Sequence, residues 1–262
     1  MQFKDHFSRQ ALDYAKFRPR YPREMFEYLG SVAPSRTLAW DCATGNGQAA
    51  VELANVFEHV IATDASESQI ANAEPNPKVQ YRVVPAEENG LLAEQFDVVL
   101  VAQALHWLNR DRFYPEVRRV LKRNGVFAAS AYNLLRTDQP VKEIVAHYYY
   151  DVVGPYWPPE RALIEKFEEI PFPFPLRETP KFEIAAEWNL EHLIGYLRSW
   201  SSTQRFVTAT NRNPLEEIEA DLRKAWGDPQ QTKRIEWPLT LRVGIKGAEP
   251  SKLGGTKPRT PA

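Results

Sequence analysis

Residues 38–48 place the strongest constraint on how this chain can fold. Their sequence, LAWDCATGNGQ, has the pattern of a buried strand, a tight turn containing Gly45 and Gly47, and a helix that begins near Gln48. A ligand can approach the backbone of such a turn because glycine has no Cβ, and the first N–H groups of the helix point toward that ligand. Asp41, at the carboxyl end of the strand, attracts an amine and repels a pyrophosphate. The segment therefore predicts a site for a ligand that carries a cationic amine.

Strand and helix patterns alternate from this segment to residue 131. Strands are predicted over residues 38–42, 59–64, 79–84, 96–102 and 125–131. This alternation favours an α/β protein with a doubly wound, mostly parallel sheet. Ser66 followed three residues later by Gln69 is a capping box, which predicts a helix start. Asn124 and Gly125 are predicted to end the helix over residues 112–122.

The regions on either side of this core have other patterns. In residues 5–17, Phe7, Ala11, Tyr14 and the following Arg18 fall on one helical face. After residue 136, aromatic residues and prolines crowd together, which favours a cap over the sheet. We expect this division: residues 1–36, amino-terminal lid helices; 37–136, the core; 137–233, an α-helical cap inserted after the fifth strand; 234–246, a strand returning to the sheet; 247–262, a disordered tail.

Composition limits the compartment and the partners. With 262 residues, 43% of them hydrophobic, the chain can form one large core with an inserted region. A net charge of −1 gives no indication of a nucleic acid or membrane partner. One cysteine, Cys42, excludes an intrachain disulfide, and the apolar run at residues 98–105 is too short to cross a bilayer. We expect a soluble, cytoplasmic monomer or homodimer that acts on a small molecule.

These motifs, taken in order, resemble those of the class I S-adenosylmethionine-dependent methyltransferases, which have a Rossmann-like fold. The resemblance implies S-adenosylmethionine as the cofactor and methyl transfer as the reaction. It also implies roles at the strand ends: the turn after the first strand, the acid after the second strand that holds the ribose, the segment that meets the adenine, and the residues after the fourth strand. The corresponding positions are Asp41, Ala43, Thr44, Gly45 and Gly47; Asp64 and Ala65; Ala86 and Glu87; Gln103 and His106. Ala43 stands where the family has its first glycine.

Two further stretches are similar to the trans-aconitate methyltransferase-like branch of this family. They are the amino-terminal segment with Tyr14 and Arg18, and the sequence Ala104-Leu105-His106-Trp107. In that branch the amino-terminal segment folds over the cofactor, which implies that Tyr14 and Arg18 face it.

Two other functions are compatible with parts of the pattern. Gly45 and Gly47, with Ala50 in the third position, also approximate the fingerprint of nicotinamide-dependent oxidoreductases. Asp41 argues against that reading, because its carboxylate would face the dinucleotide pyrophosphate. The third alternative is a protein that binds S-adenosylmethionine or its product without catalysis, as the alanine at position 43 and the unusual Arg123-Asn124 turn would allow.

The identity of the methyl acceptor and the need for a catalytic base stay open at this point. In-line displacement on a sulfonium methyl group depends mainly on proximity and alignment. A carboxylate acceptor would need only a cation, for which the candidates are Arg18, Arg136, Arg198 and Arg205. A hydroxyl or amine acceptor would need a base, and His106 is the candidate catalytic residue. The histidines are scattered without paired acids or cysteines, so no metal site is predicted.

Overall fold

One eight-stranded sheet organises the protein, for which a computed structural model describes residues 17–247. Its strands run in the order β3-β2-β1-β4-β5-β8-β6, with β7 also paired to β8. Strands β1 to β5 pair in parallel, and β6, β7 and β8 pair antiparallel. The bounds are β1 Leu38–Cys42, β2 His59–Asp64, β3 Val79–Val83, β4 Phe96–Ala102, β5 Leu121–Tyr132, β6 Leu176–Arg177, β7 Phe182–Trp188 and β8 Lys233–Ile245. The predicted α/β class with a mostly parallel, doubly wound sheet is confirmed.

Nine α-helices in the described residues connect and cover these strands. They are α1 Arg23–Val32, α2 Gln48–Ala54, α3 Glu67–Ala71, α4 Arg110–Val120, α5 Gln139–His147, α6 Ala162–Glu165, α7 Leu190–Arg198, α8 Ser201–Thr210 and α9 Glu219–Trp226. The predicted helix over residues 5–17 lies, apart from Phe17, outside the described residues, and so does most of the predicted tail. No helix within residues 17–247 has the length and apolar character needed to cross a membrane.

The predicted ending of α4 is wrong. The helix ends at Val120, and β5 begins directly at Leu121. Asn124, with φ +63°, lies inside the strand, where the register between β4 and β5 shifts by a bulge. Asparagine tolerates left-handed backbone in a bulge as well as at a helix end. The Asn124-Gly125 sequence is therefore compatible with either structure, and here it forms the bulge.

The region 137–233 contains strands as well as helices. Leu176–Arg177 and Phe182–Trp188 pair with β8 on the side opposite β5. These two strands were not predicted, because the first has only two residues and the second alternates only in part between apolar and polar residues. They join part of this region to the sheet, whereas Trp157, Arg161 and Ile164 lie near the carboxyl end of β4.

Hydrophobic layers cover both faces of the sheet and fix its position. One layer includes Trp40, Phe113 and Phe127, and the other includes Phe26 and Trp237. A parallel sheet buried on both faces exposes its strand ends for ligands, and the crevice forms where the strand order reverses. Here that point is between β1 and β4, next to the turn at residues 43–47.

Candidate active site

Two adjacent cavities open at the carboxyl ends of the parallel strands. The first has a volume of about 650 Å³ and lies over the ends of β1, β2 and β4. The second has a volume of about 60 Å³ and lies between the end of β4, the end of β5 and the region 137–233. Arg18, Gln103, Trp107 and Tyr132 line both cavities, so the two are neighbours.

Most of the residues predicted to bind the cofactor line the first cavity. These are Arg18, Asp41, Ala43, Thr44, Gly45, Asp64, Ala65, Ala86, Glu87 and Gln103. Gly47 lies behind the cavity wall, His106 lines the second cavity, and Tyr14 is outside the described residues. The first cavity is also lined by residues that were not predicted, among them Gln69, Arg112 and Tyr132.

The turn after β1 consists of closely spaced left-handed residues. Ala43, Gly45 and Gly47 have φ angles of +55°, +57° and +86°. A Cβ on Gly47 would lie 2.3 Å from the Tyr81 hydroxyl, so Gly47 is required by space as well as by backbone conformation. Ala43 adopts its angle with a Cβ present, which is unfavourable for an L-residue. The alanine at this position therefore strains the turn.

Asp41 is a buried carboxylate with an uncommitted oxygen. Its Oδ2 accepts a hydrogen bond from the Thr44 hydroxyl, whereas Oδ1 has no hydrogen-bond partner within residues 17–247. Burial raises the pKa of Asp41 to about 7, the negative charge of Asp64 raises it further, and the Thr44 hydroxyl and Ala50 amide lower it. A cationic donor beside Oδ1 would offset this cost of burial.

Asp64 ties the turn after β1 to the end of β2. Its Oδ2 accepts from the Gly45 amide at 2.8 Å, and its Oδ1 accepts from the Ser66 amide at 2.9 Å. Asp64 therefore holds the turn in place from the edge of the first cavity, which it also lines.

Glu87 and Gln103 have hydrogen bonds that the sequence analysis did not foresee. The Glu87 Oε1 accepts from the Asn109 amide at 2.8 Å, at the start of α4. The Gln103 amide pairs with the backbone of Tyr132: Nε2 donates to its carbonyl at 3.0 Å and Oε1 accepts from its N–H at 2.8 Å. Gln103 therefore joins the ends of β4 and β5 and keeps Tyr132 between the two cavities.

His106 is a neutral imidazole in the wall of the second cavity. It is 4% exposed, and its Nδ1 has no hydrogen-bond partner within the described residues. Burial lowers the pKa of His106 to about 3, and the positive charges of Arg161 and Arg110 lower it further. The ring packs against Trp107 at 4.5 Å between centroids. A base with so low a pKa removes protons poorly at neutral pH.

Arg161 brings a cation to the second cavity that the sequence analysis missed. Its Nη1 is buried without a hydrogen-bond partner within residues 17–247. The guanidinium lies 5.3 Å from the centroid of the Trp157 ring and 5.6 Å from that of Tyr149. Arg161 is far along the chain from the glycine turn, and its sequence surroundings give no signal of a ligand.

The other predicted arginines lie in different places. Arg18 lines both cavities, with its Nη2 donating to the Ser199 carbonyl at 3.0 Å. Arg136 pairs through its backbone with Glu236, and neither it nor Arg198 or Arg205 lines either cavity. No group of three or more His, Cys, Asp or Glu side chains in residues 17–247 is placed to hold a metal ion.

Cys42 and two of the three tyrosines at 148–150 are core residues. Cys42 is fully buried, and burial raises the pKa of its thiol well above the usual value, which makes it a poor nucleophile. Tyr148 is buried and hydrogen-bonded to the Thr203 hydroxyl at 2.8 Å, whereas Tyr150 is exposed. Only Tyr149 of the three reaches a cavity.

The first cavity fits S-adenosylmethionine better than a dinucleotide. Its volume is in the usual range for a small-molecule site. Asp41 offers an unpaired acceptor, suited to an ammonium group, and the Asp64 carboxylate lines the same cavity. A pyrophosphate would instead bring its negative charge close to a buried carboxylate.

Comparisons with known proteins identify the family of this chain. Residues 40–129 match the family model described as a methyltransferase domain. A Dictyostelium discoideum protein named as a methyltransferase is 35% identical over 230 residues, which are 86% of this chain and 88% of that protein.

Two solved methyltransferase structures are also similar to this chain. A protein from Anaeromyxobacter dehalogenans, described as a type II methyltransferase, superposes with a TM-score of 0.81 and 44% identity, covering 87% of this chain and 98% of that one. A phosphoethanolamine N-methyltransferase of Haemonchus contortus, in complex with S-adenosylhomocysteine, shares the fold with a TM-score of 0.51 and 17% identity, covering 94% of this chain and 60% of that one. The extent of these matches, together with the strand-end acids and the glycine turn, shows that the chain belongs to the class I S-adenosylmethionine-dependent methyltransferases.

Proposed function

We propose that this enzyme transfers the methyl group of S-adenosylmethionine to a carboxylate oxygen of a small organic acid that binds in the second cavity. The cofactor supplies a methyl group already activated by a positive sulfonium. A lone pair of the carboxylate forms the new C–O bond as the C–S bond breaks, and the electron pair of that bond stays on sulfur. The products are a methyl ester and S-adenosylhomocysteine. The proposal assigns the protein to the trans-aconitate methyltransferase-like branch.

The observation that carries this proposal is the unpaired Nη1 of Arg161. A buried guanidinium N–H without an acceptor is unfavourable, and a carboxylate is the group that matches guanidinium geometry. Trp157 and Tyr149 support the cation from their ring faces and leave this N–H free for a ligand. The neighbouring His106 Nδ1 is also unpaired and could donate to the same anion.

The size of the second cavity supports a small acceptor. Its volume of about 60 Å³, against about 650 Å³ for the first cavity, suits the carboxylate end of a small acceptor. Gln103 and Tyr132 place this cavity next to the first one. Their reciprocal hydrogen bonds fix the distance between the two cavities, and a fixed separation favours the alignment that an in-line displacement requires.

His106 also favours an acceptor that needs no base. A carboxylic acid is already ionised at neutral pH. A hydroxyl or amine acceptor would require proton removal, and the low pKa of His106 makes it a weak base for that purpose. The charge of the acceptor also complements the site, because Arg161 lies beside the second cavity and the acids lie beside the first.

The test is an assay of S-adenosylhomocysteine formation with matched small acids, alcohols and amines. We expect turnover with acids only. The Arg161→Gln variant should lose about ten- to a hundredfold in kcat/KM for the acid, as expected for a charge-assisted hydrogen bond, and should keep its affinity for S-adenosylhomocysteine. Arg198→Gln, which changes an arginine outside both cavities, is the matched control. Turnover of alcohols or amines alone, or full activity of Arg161→Gln, would contradict the proposal.

A further inference from the structure

Gln69 is a buried polar side chain of the first cavity whose role the known motifs do not explain. It lies in α3, is 4% exposed and lines the cavity. Its Oε1 has no hydrogen-bond partner within residues 17–247. A buried amide oxygen without a donor is costly, so a methionine or leucine would serve better if the side chain only filled space.

The capping box explains how this oxygen becomes available. Ser66 begins α3 as the sequence predicts, and its Oγ accepts from the Gln69 amide at 3.3 Å. In a complete capping box the glutamine side chain would return to the Ser66 amide. That amide donates instead to Asp64 Oδ1 at 2.9 Å. The Ser66 amide is therefore bonded to Asp64 and not to the Gln69 side chain, which faces the cavity instead.

The position of the oxygen identifies its neighbour in the site. Gln69 Oε1 is 3.8 Å from the point where a Cβ on Gly45 would lie. The amide of the same Gly45 donates to Asp64 Oδ2 at 2.8 Å. Gln69 Oε1 and the Asp64 carboxylate are therefore grouped around Gly45, at the end of β2. Both groups are acceptors, so a ligand that binds to the Gln69 oxygen or to the Asp64 carboxylate would have to supply hydrogen-bond donors.

We propose that Gln69 is a second acceptor for the ribose hydroxyls of the cofactor, acting beside Asp64. This inference rests on cofactor binding and is independent of the identity of the methyl acceptor. A diol presents two donors, and Asp64 already accepts two backbone N–H groups. An additional neutral acceptor satisfies one hydroxyl without adding negative charge next to Asp41 and Asp64.

The test compares Gln69→Met with the wild-type protein in two measurements. The first is calorimetric affinity for S-adenosylhomocysteine and for 5′-methylthioadenosine, which has the ribose but lacks the amino-acid part. Both affinities should fall by about five- to tenfold, as for the loss of one hydrogen bond. The second is thermal unfolding without ligand. The melting temperature should rise by about 2–4 °C, because the unpaired oxygen is removed from the interior.

The controls separate this role from packing. Gln80→Met changes an exposed glutamine on β3 and should alter neither measurement. Gln69→Leu repeats the test with a shorter side chain in case the methionine packs badly. Weakening limited to S-adenosylhomocysteine would place the oxygen at the amino-acid end and overturn the proposal. Unchanged affinity, or lower affinity together with a lower melting temperature in both variants, would also overturn it. Failure of the wild-type protein to bind either ligand would instead concern cofactor binding as a whole.

Discussion

The backbone shapes the first cavity, whereas side chains shape the second. The first is formed mainly by left-handed turn residues and strand-end acids within residues 41–103, with Arg18, Arg112 and Tyr132 at its margin. The second is formed where His106 and Gln103 meet Arg161, Tyr149 and other aromatic residues from the region 137–233. The first cavity is rich in hydrogen-bond acceptors, and the second contains the Arg161 guanidinium with an unpaired hydrogen-bond donor. The first cavity is therefore held by local backbone geometry, whereas the second, the proposed acceptor site, depends on side chains from distant segments.

The largest effect should come from Gly47→Ala, which tests whether the backbone shapes the first cavity. The new methyl group would collide with Tyr81 and strain a residue at φ +86°. We expect a loss of about 2–5 kcal/mol in the free energy of unfolding, the sum of overpacking and backbone strain, measured by urea denaturation. Gly90→Ala, at φ +65° with open space around it, is the control for strain alone. Equal losses in the two variants would show that contact with Tyr81 is unimportant.

Asp41→Asn tests the acceptor character of the first cavity through its pH dependence. The pKa of Asp41 is about 7 in the folded protein and near 3.9 in the unfolded chain. The folded state therefore binds the proton more tightly, and the free energy of unfolding falls as pH rises from about 4 to 7. The asparagine variant lacks this loss, so its stability relative to wild type should increase over the same window, by at most about 4 kcal/mol.

Binding provides the complementary measurement at Asp41. An ammonium group beside the carboxylate would lower its pKa, so S-adenosylhomocysteine binding at pH 6 should release a proton from the wild-type protein. Calorimetry in buffers of different ionisation enthalpy measures this release, which Asp41→Asn should not show. Identical proton release in the two proteins would remove Asp41 from contact with the amine.

His106→Asn tests whether the second cavity positions its ligand without a base. The histidine, with a pKa of about 3, is neutral above pH 5. Activity of the wild-type enzyme should therefore show no acid limb near pH 6.5, and the variant should keep kcat within about tenfold, because proximity provides most of the acceleration. Turnover is measured from pH 5 to pH 9. A hundredfold loss that abolishes an acid limb would make His106 a general base and would favour a hydroxyl or amine acceptor.

The smallest effect should come from Ala43→Gly, at the strained position of the first cavity. Glycine adopts φ +55° without the Cβ conflict but gains entropy in the unfolded chain. The free energy of unfolding should rise by up to about 1 kcal/mol, with S-adenosylhomocysteine affinity changed by less than about threefold. Glu94→Gly, also at φ +55° but away from the cavities, is the matched control. A loss of stability at position 43 alone would show that the alanine methyl group has a packing role.

The sequence by itself determined the sheet class, the turn at residues 43–47 and the acids at the ends of β1 and β2. These features follow from short-range rules, because strand periodicity, glycine conformation and helix capping each depend on a few neighbouring residues. The same locality explains the error at Asn124, whose left-handed backbone suits a helix end or a bulge. It also explains why Ser66 was identified as a cap while the diversion of its amide to Asp64 was not foreseen.

Only the tertiary structure decided the second cavity. Arg161 reaches His106 from a segment that follows β5 and the whole parallel core, and Gln103 meets Tyr132 across 29 residues. Strands β6 and β7 acquire their partners only when β8 returns to the sheet. Such contacts depend on where packing places remote segments, and no local pattern of charge or hydrophobicity encodes that placement. The proposed acceptor site is for this reason the part of the molecule that could not be predicted from the sequence.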